Sequence, residues 1–338
     1  MSRRRWTAAA GAALVLGTAP GVTGGVAVAA TADSGLGIRL LDAPTARRDD
    51  PRARVYIVDF VHPGTTLTRH VEVSNGAAAP AHVSLYPDAA AVATGTFVVQ
   101  AGHTPNELTS WMTVSPTSLD LPAHGIGTAA VTIAVPQDAA PGERYAVVLA
   151  EVQSAGGGQG LLRTSRVGIR TYLSVGAGAE PASDFTVDSL TAARDQTGSP
   201  LVRAQVHNTG GRALDMRGTL DLSDGPGGLK AGPFTAQLGA TLAPGDTQPV
   251  TVPLDKALPA GPWKARVSLR SGLLERSATA TITFPTGAGT TAPPVHAKAV
   301  PLPKNFPLLV AFAGGLVAAI ALTLGASQLL RRRRKAGR

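Results

Sequence analysis

The chain of 338 residues carries 31 Lys plus Arg against 22 Asp plus Glu, yet nine of those cations (Arg3, Arg4, Arg5, Arg331, Arg332, Arg333, Arg334, Lys335 and Arg338) lie at its two ends. Residues 31–305 therefore balance 22 cations against 22 acids, which takes away the main support for a nucleic-acid partner, and none is expected. The absence of cysteine excludes a disulfide framework and thiol chemistry, so burial must hold the fold together.

Residues 1–30 read as a signal peptide: a positive start at Arg3 to Arg5, an apolar stretch from Ala8 to Leu16, and a small-residue cleavage region at Ala27, Val28, Ala29 and Ala30. The general secretory and twin-arginine routes both fit it. From residue 36 onward Val, Thr and Gly dominate and turn signals recur at short intervals, which predicts an all-β fold. Short apolar runs at Gly37 to Leu41 and Val55 to Asp59 flank a charged loop, Arg47 to Arg54, whose Asp49 and Asp50 among four arginines read as a solvated ion-pair cluster. Thr68 to Ser74 then alternates, with Val71 and Val73 on one face and His70 and Glu72 on the other. Ala81 to Tyr86, Thr128 to Val135, Arg144 to Val152 and Leu161 to Val175 complete a predicted sandwich over 36–178.

The pattern restarts over 184–284. Trp263, Ala265, Val267 and Leu269 alternate with Lys264, Arg266, Ser268 and Arg270, predicting a strand with one wet face and placing Trp263 in the core. Three signals repeat between the regions: Val73-Ser74-Asn75-Gly76 with Val206-His207-Asn208-Thr209-Gly210, Leu121 to Gly125 with Leu242 to Gly245, and Pro141-Gly142 with Ala260-Gly261. The simplest account is an internal duplication.

Asn75 and Leu121 are 46 residues apart, Asn208 and Leu242 34, so the first copy holds about 12 extra residues, placed between Pro87 and Ser110. A long connection in a compact domain is often functional. This one offers uncharged hydrogen-bonding and aromatic groups, and Thr94, Thr96, Phe97, Gln100, His103 and Asn106, with the neighbouring Trp111, are the candidate ligand-binding residues. The same stretch also reads as an extra edge hairpin around Thr96 to Gln100. No metal-ligand spacing, nucleophile motif or phosphate loop occurs, so neither enzyme activity nor a cofactor is expected.

Residues 285–305 hold five prolines among Gly, Thr and Ala and read as a semi-rigid stalk. Phe306 to Leu330, 25 residues without a charge, reads as a transmembrane helix, with residues 331–338 as a basic cytoplasmic tail. The localisation that follows is a single-pass plasma-membrane protein with its N-terminal region outside.

The order Arg54 to Asp59, Pro63-Gly64-Thr65, Val71 to Asn75, Trp111 to Pro116, Leu121 to Gly125, Val131 to Pro136 and Asp138 to Gly142 resembles the extracellular region of WxL-interacting proteins. That resemblance implies two tandem Ig-like sandwiches, the first peptidoglycan-binding and the second partner-binding, followed by a membrane helix. The first region is also similar to the N-terminal domain of pilus chaperones, which pair an edge strand with a client. The expected function is thus binding of peptidoglycan or another envelope component. The alternative is a protein-binding scaffold or chaperone for exported surface proteins that acts by strand addition.

Overall fold

The computed structural model describes residues 35–155 and 162–301. In chain order the strands are β1 (Leu36–Leu40), β2 (Ile57–Val61), β3 (Thr66–Asn75), β4 (Ala81–Ala93), β5 (Thr96–Val99), β6 (Met112–Ser115), β7 (Ser118–Leu121), β8 (Ile126–Ala134), β9 (Gly142–Ala155) and β10 (Leu162–Val175). They continue as β11 (Phe185–Arg194), β12 (Pro200–Asn208), β13 (Leu214–Asp215), β14 (Arg217–Ser223), β15 (Ala231–Thr235), β16 (Thr241–Leu242), β17 (Thr247–Pro253), β18 (Gly261–Ser271), β19 (Leu274–Phe284), β20 (Val295–His296) and β21 (Lys298–Val300). A single short α-helix, α1 (Glu107–Ser110), interrupts them among the described residues.

In the first sandwich a sheet ordered β1-β3-β8-β6 faces one ordered β2-β10-β9-β4-β5, with β7 also pairing β4. Alternation makes the core: Val71 and Val73 of β3, Val131 and Ile133 of β8, and Ala146, Val148 and Ala150 of β9 meet between the sheets, all fully buried. In the second, β17-β12-β11-β20 faces β15-β14-β18-β19-β21. Trp263, Ala265, Val267 and Leu269 line its core, and Lys264, Arg266 and Arg270 are exposed, as the alternation requires.

Two expectations need correction. The stretch after Phe284 does not run free as a stalk up to residue 301: β20 pairs β11, β21 pairs β19, and Ala297 is buried in the core between them. Strands of two or three residues leave no periodicity, so composition alone misreads them. The localisation is also corrected. Among the described residues no helix is long and apolar enough to cross a membrane, and the stretch 306–330 on which the single-pass anchor rested lies outside them, as do residues 1–30.

Candidate binding edge and the interdomain junction

The extra residues of the first copy form a hairpin. β4 continues to Ala93, turns through Thr94 and Gly95, and returns as β5 with Ala93 opposite Thr96. Thr94 and Gly95 both have positive φ, 47° and 75°, the conformation that a two-residue hairpin turn of matching twist demands. The tip docks on the second sandwich. Thr96 bridges Ala240, the Thr241 amide donates to the Gly95 carbonyl at 2.8 Å, and a Cβ on Gly95 would stand 3.1 Å from the Gln248 side chain.

Behind the tip lies a buried polar junction. Asp215 accepts hydrogen bonds from Arg52 Nε at 2.8 Å, Tyr172 Oη at 2.9 Å, Thr241 Oγ1 at 2.8 Å and Arg170 Nη1 at 3.3 Å. Arg52 also donates to the Ala213 carbonyl and lies over the Tyr172 ring at 4.7 Å. Phe97 packs against Tyr172 and Tyr145, with centroids 5.2 Å and 6.4 Å away, and the Arg170 guanidinium sits 4.8 Å from its ring centre. Burial pushes the Glu143 carboxyl above its ordinary range, against the Tyr145 hydroxyl and the Ala213 amide that hydrogen-bond its charged form. The charged loop expected to be solvated thus supplies, in Arg52, a side chain that is 8 % exposed and bound to the other sandwich.

The seven candidate residues are not brought together. Thr94 lies in the docked turn, and Thr96 and Phe97 belong to the junction. Gln100 is exposed, and His103 stacks on Tyr86 at 3.9 Å, both beside the outer face of the sheet. Asn106 caps α1: its Oδ1 accepts from the Thr109 amide, its own amide donates to Thr109 Oγ1, and its Nδ2 donates to the Tyr145 carbonyl. Trp111 packs against the first core, with the Arg144 guanidinium 4.9 Å from its ring. Among the described residues no group of three or more His, Asp and Glu stands together as a metal would require.

The open feature is β10. It pairs β9 along its whole length, from Leu162 opposite Ala155 to Val175 opposite Gly142. On its other side β2 covers only Thr171 to Val175, in parallel. Among the described residues, no second strand therefore pairs with Thr164 to Arg170, which present an edge. β4 covers β9 only as far as Glu151, so the outermost part of the β9–β10 pair stands clear of the sandwich, with Leu162 at its end 72 % exposed. On the outer face of this edge a groove of about 460 Å³ is lined by Val147, Leu149, Arg166, Gly168, Arg170 and the β5 end at Val99. Glu151 holds Arg166 of this lining in an ion pair. Its burial alone would raise its pKa, but hydrogen bonds from Tyr86 Oη at 2.5 Å, Gln153 Nε2 at 3.0 Å and Arg166 Nε at 2.6 Å outweigh this and hold it down at about 2. Of the sequence candidates, Gln100 also lines this groove and His103 Nε2 lies 3.9 Å from Glu151, whereas the residues of β9 and β10 did not stand out in the sequence, although the strand itself did. The signal was the spacing of Arg166, Gly168 and Arg170 on one face.

The second sandwich shows what the same position looks like when covered. Aligning Gly142 with Gly261, where β9 and β18 begin, sets Val175 against Phe284 and lays Ser277–Thr279 of β19 over Gly168–Arg170 of β10. Those β19 residues are paired by β21, antiparallel, with Ser277 opposite Val300 and Thr279 opposite Lys298.

No family model matches the chain, and no curated protein does. Among solved structures it is similar to the chaperone YadV (12 % identity, TM-score 0.38, covering 73 % of this chain and 99 % of that one). It is likewise similar to the Escherichia coli chaperone DraB (12 %, 0.36, 78 % and 96 %) and to the Pseudomonas aeruginosa CupB2 chaperone (12 %, 0.35, 68 % and 97 %). At such identities and TM-scores these likenesses say nothing of ligand or partner.

Proposed function

We propose that the protein binds other proteins by strand addition at the edge Thr164 to Arg170 of β10, as a scaffold or chaperone for exported surface proteins. The observation that carries the reading is the internal comparison: the equivalent edge of the second sandwich is occupied by the chain's own β21, so this architecture accepts an antiparallel strand there. An open edge of this length is a template for pairing, and main-chain hydrogen bonds would supply the attachment. The envelope-ligand reading has less behind it: Thr94, Thr96 and Phe97 of the insertion that was to carry it are held at the second sandwich, and its other candidates Gln100, His103 and Asn106, with Trp111, form no single site.

The test uses the alternation of an edge strand. Of two neighbouring residues, one directs its N–H toward β9 and the other outward. Thr164→Pro and Ser165→Pro should therefore differ: one abolishes capture of exported proteins in the producing cells, read by a photo-crosslinker at Arg166, and keeps its melting transition. Equal capture from a crosslinker at Arg266, on the wet face of β18, would overturn the reading.

A further inference from the structure

The outer face of the open edge has a defined chemistry. Arg166, Gly168 and Arg170 point to one side of the sheet; Ser165, Val167 and Ile169 point to the other, where Val167 and Ile169 join the core. The arginines are the exposed partners of their ion pairs. The Arg166 side chain is 39 % exposed above a Glu151 that is 5 % exposed, and that of Arg170 is 28 % exposed above an Asp215 that is 10 % exposed. An approaching strand meets the Arg166 guanidinium above Glu151 and that part of Arg170 which its contacts with Asp215, Phe97 and Tyr56 leave exposed. Between them Gly168 is a notch. A Cβ there would lie 2.7 Å from Val147 Cγ2 and 2.8 Å from Leu149 Cδ2, so those two side chains already lean over the glycine and form an apolar floor.

A second copy of this chain does not suit the edge. Antiparallel pairing about Gly168 would set Arg166 of each chain across from Arg170 of the other, and like charges directly opposite are destabilising.

We propose, building on the strand-addition reading, that the captured segment belongs to a partner protein and alternates acidic, large apolar, acidic on the face above Arg170, Gly168 and Arg166, with apolar residues opposite Ile169 and Val167. Residues four apart on a strand are about 13 Å apart, so the two acids reach the two guanidinium groups while the central side chain covers the notch. An aromatic side chain opposite a strand glycine restores the packing that the glycine lacks.

The probe is a terminally blocked, fluorescent heptapeptide of glutamate, valine, phenylalanine, valine, glutamate, threonine and threonine, which spans Arg170 to Thr164 without reaching the residues that β2 pairs, titrated against the full chain by anisotropy. Hydrogen exchange on the same samples reports protection of Thr164 to Arg170. Replacing both glutamates by lysine should weaken binding at least tenfold, and replacing the phenylalanine by glycine should weaken it several-fold. The peptide with only its second glutamate changed to lysine should bind Arg166→Glu more tightly than it binds the unaltered chain. Changes on the peptide leave the protein's folding untouched. Equal affinity for the glutamate and lysine peptides, with protection at the edge, would overturn the proposed sequence pattern and leave strand addition standing. No binding by any peptide, or binding without protection at the edge, would overturn both.

Discussion

Asn75 and Asn208 make the same hydrogen bonds in two different sandwiches. Each Nδ2 donates to the carbonyl four residues ahead, Ala79 at 2.8 Å and Arg212 at 2.9 Å, and each reaches across to the turn between sheets, to Pro122 at 2.9 Å and to Ala243 at 3.0 Å. Each Oδ1 accepts from the amide two residues on, that of Ala77 or Gly210. With 3 % and 0 % of their surfaces exposed, neither can exchange these partners for water. Asn75→Ala and Asn208→Ala should each destabilise their own sandwich by about 2–3 kcal/mol, because buried carbonyls are left unsatisfied. Urea titrations should give closely similar losses for the two.

Asp215 joins the sandwiches through Arg52, Tyr172 and Arg170. Asp215→Ala leaves the Arg52 guanidinium buried without its counter-charge, which costs about 3–5 kcal/mol. The expected outcome in calorimetry is separation of one coupled transition into two, with faster proteolytic cutting between Val175 and Phe185. A single unchanged transition would show that the junction does not couple the sandwiches.

Replacing Ala89 to Pro105 with a short Gly-Ser turn removes Phe97 and the docked Gly95 together. The first core draws on neither, since Phe97 packs with Tyr172 and Ala213 instead. The expected result is again uncoupling of the two sandwiches, and it is checked by comparing the melting profile of this deletion with that of Asp215→Ala.

The acid limb of stability should bear the mark of Glu151. Its folded pKa, about 2, lies below the ordinary 4.5, so its contribution is complete above about pH 4.5 and is lost as pH falls toward 2. Glu151→Gln should flatten the fall in melting temperature across that window while lowering stability at neutral pH. An unchanged acid limb would mean that the Tyr86 and Arg166 contacts do not hold in solution.

Val267 and Arg266 are neighbours on β18 with opposite surroundings, one fully buried and one exposed. Val267→Asp should cost about 3 kcal/mol or more by burying an unpaired charge, and Arg266→Gln within about 0.5 kcal/mol of nothing. Equal midpoints in denaturant would refute the assignment of faces.

Alternation of apolar and polar residues is local, so the strands around Val71, Val131 and Val267 could be read from the sequence. The Asn75 and Asn208 signals were legible as a repeat because both turns need the same side chain at the same place. Arg52 was not legible: its partner Asp215 lies 163 residues away, and nothing near it in sequence says that its charge will be buried. Lys298 to Val300 were hidden for another reason. Their strand identity comes wholly from the β19 edge they cover, and the prolines around them point elsewhere. The open edge of β10 falls between these cases, since the strand was visible and its missing neighbour was not.

The closure of β19 by β21 sets a valence. A chain with both equivalent edges open could join two foreign strands and so link partners into growing assemblies. With Ser277 to Thr279 already paired by residues of the same molecule, this pair of edges offers one vacancy, and on the strand-addition proposal capture through it would end at one strand per chain.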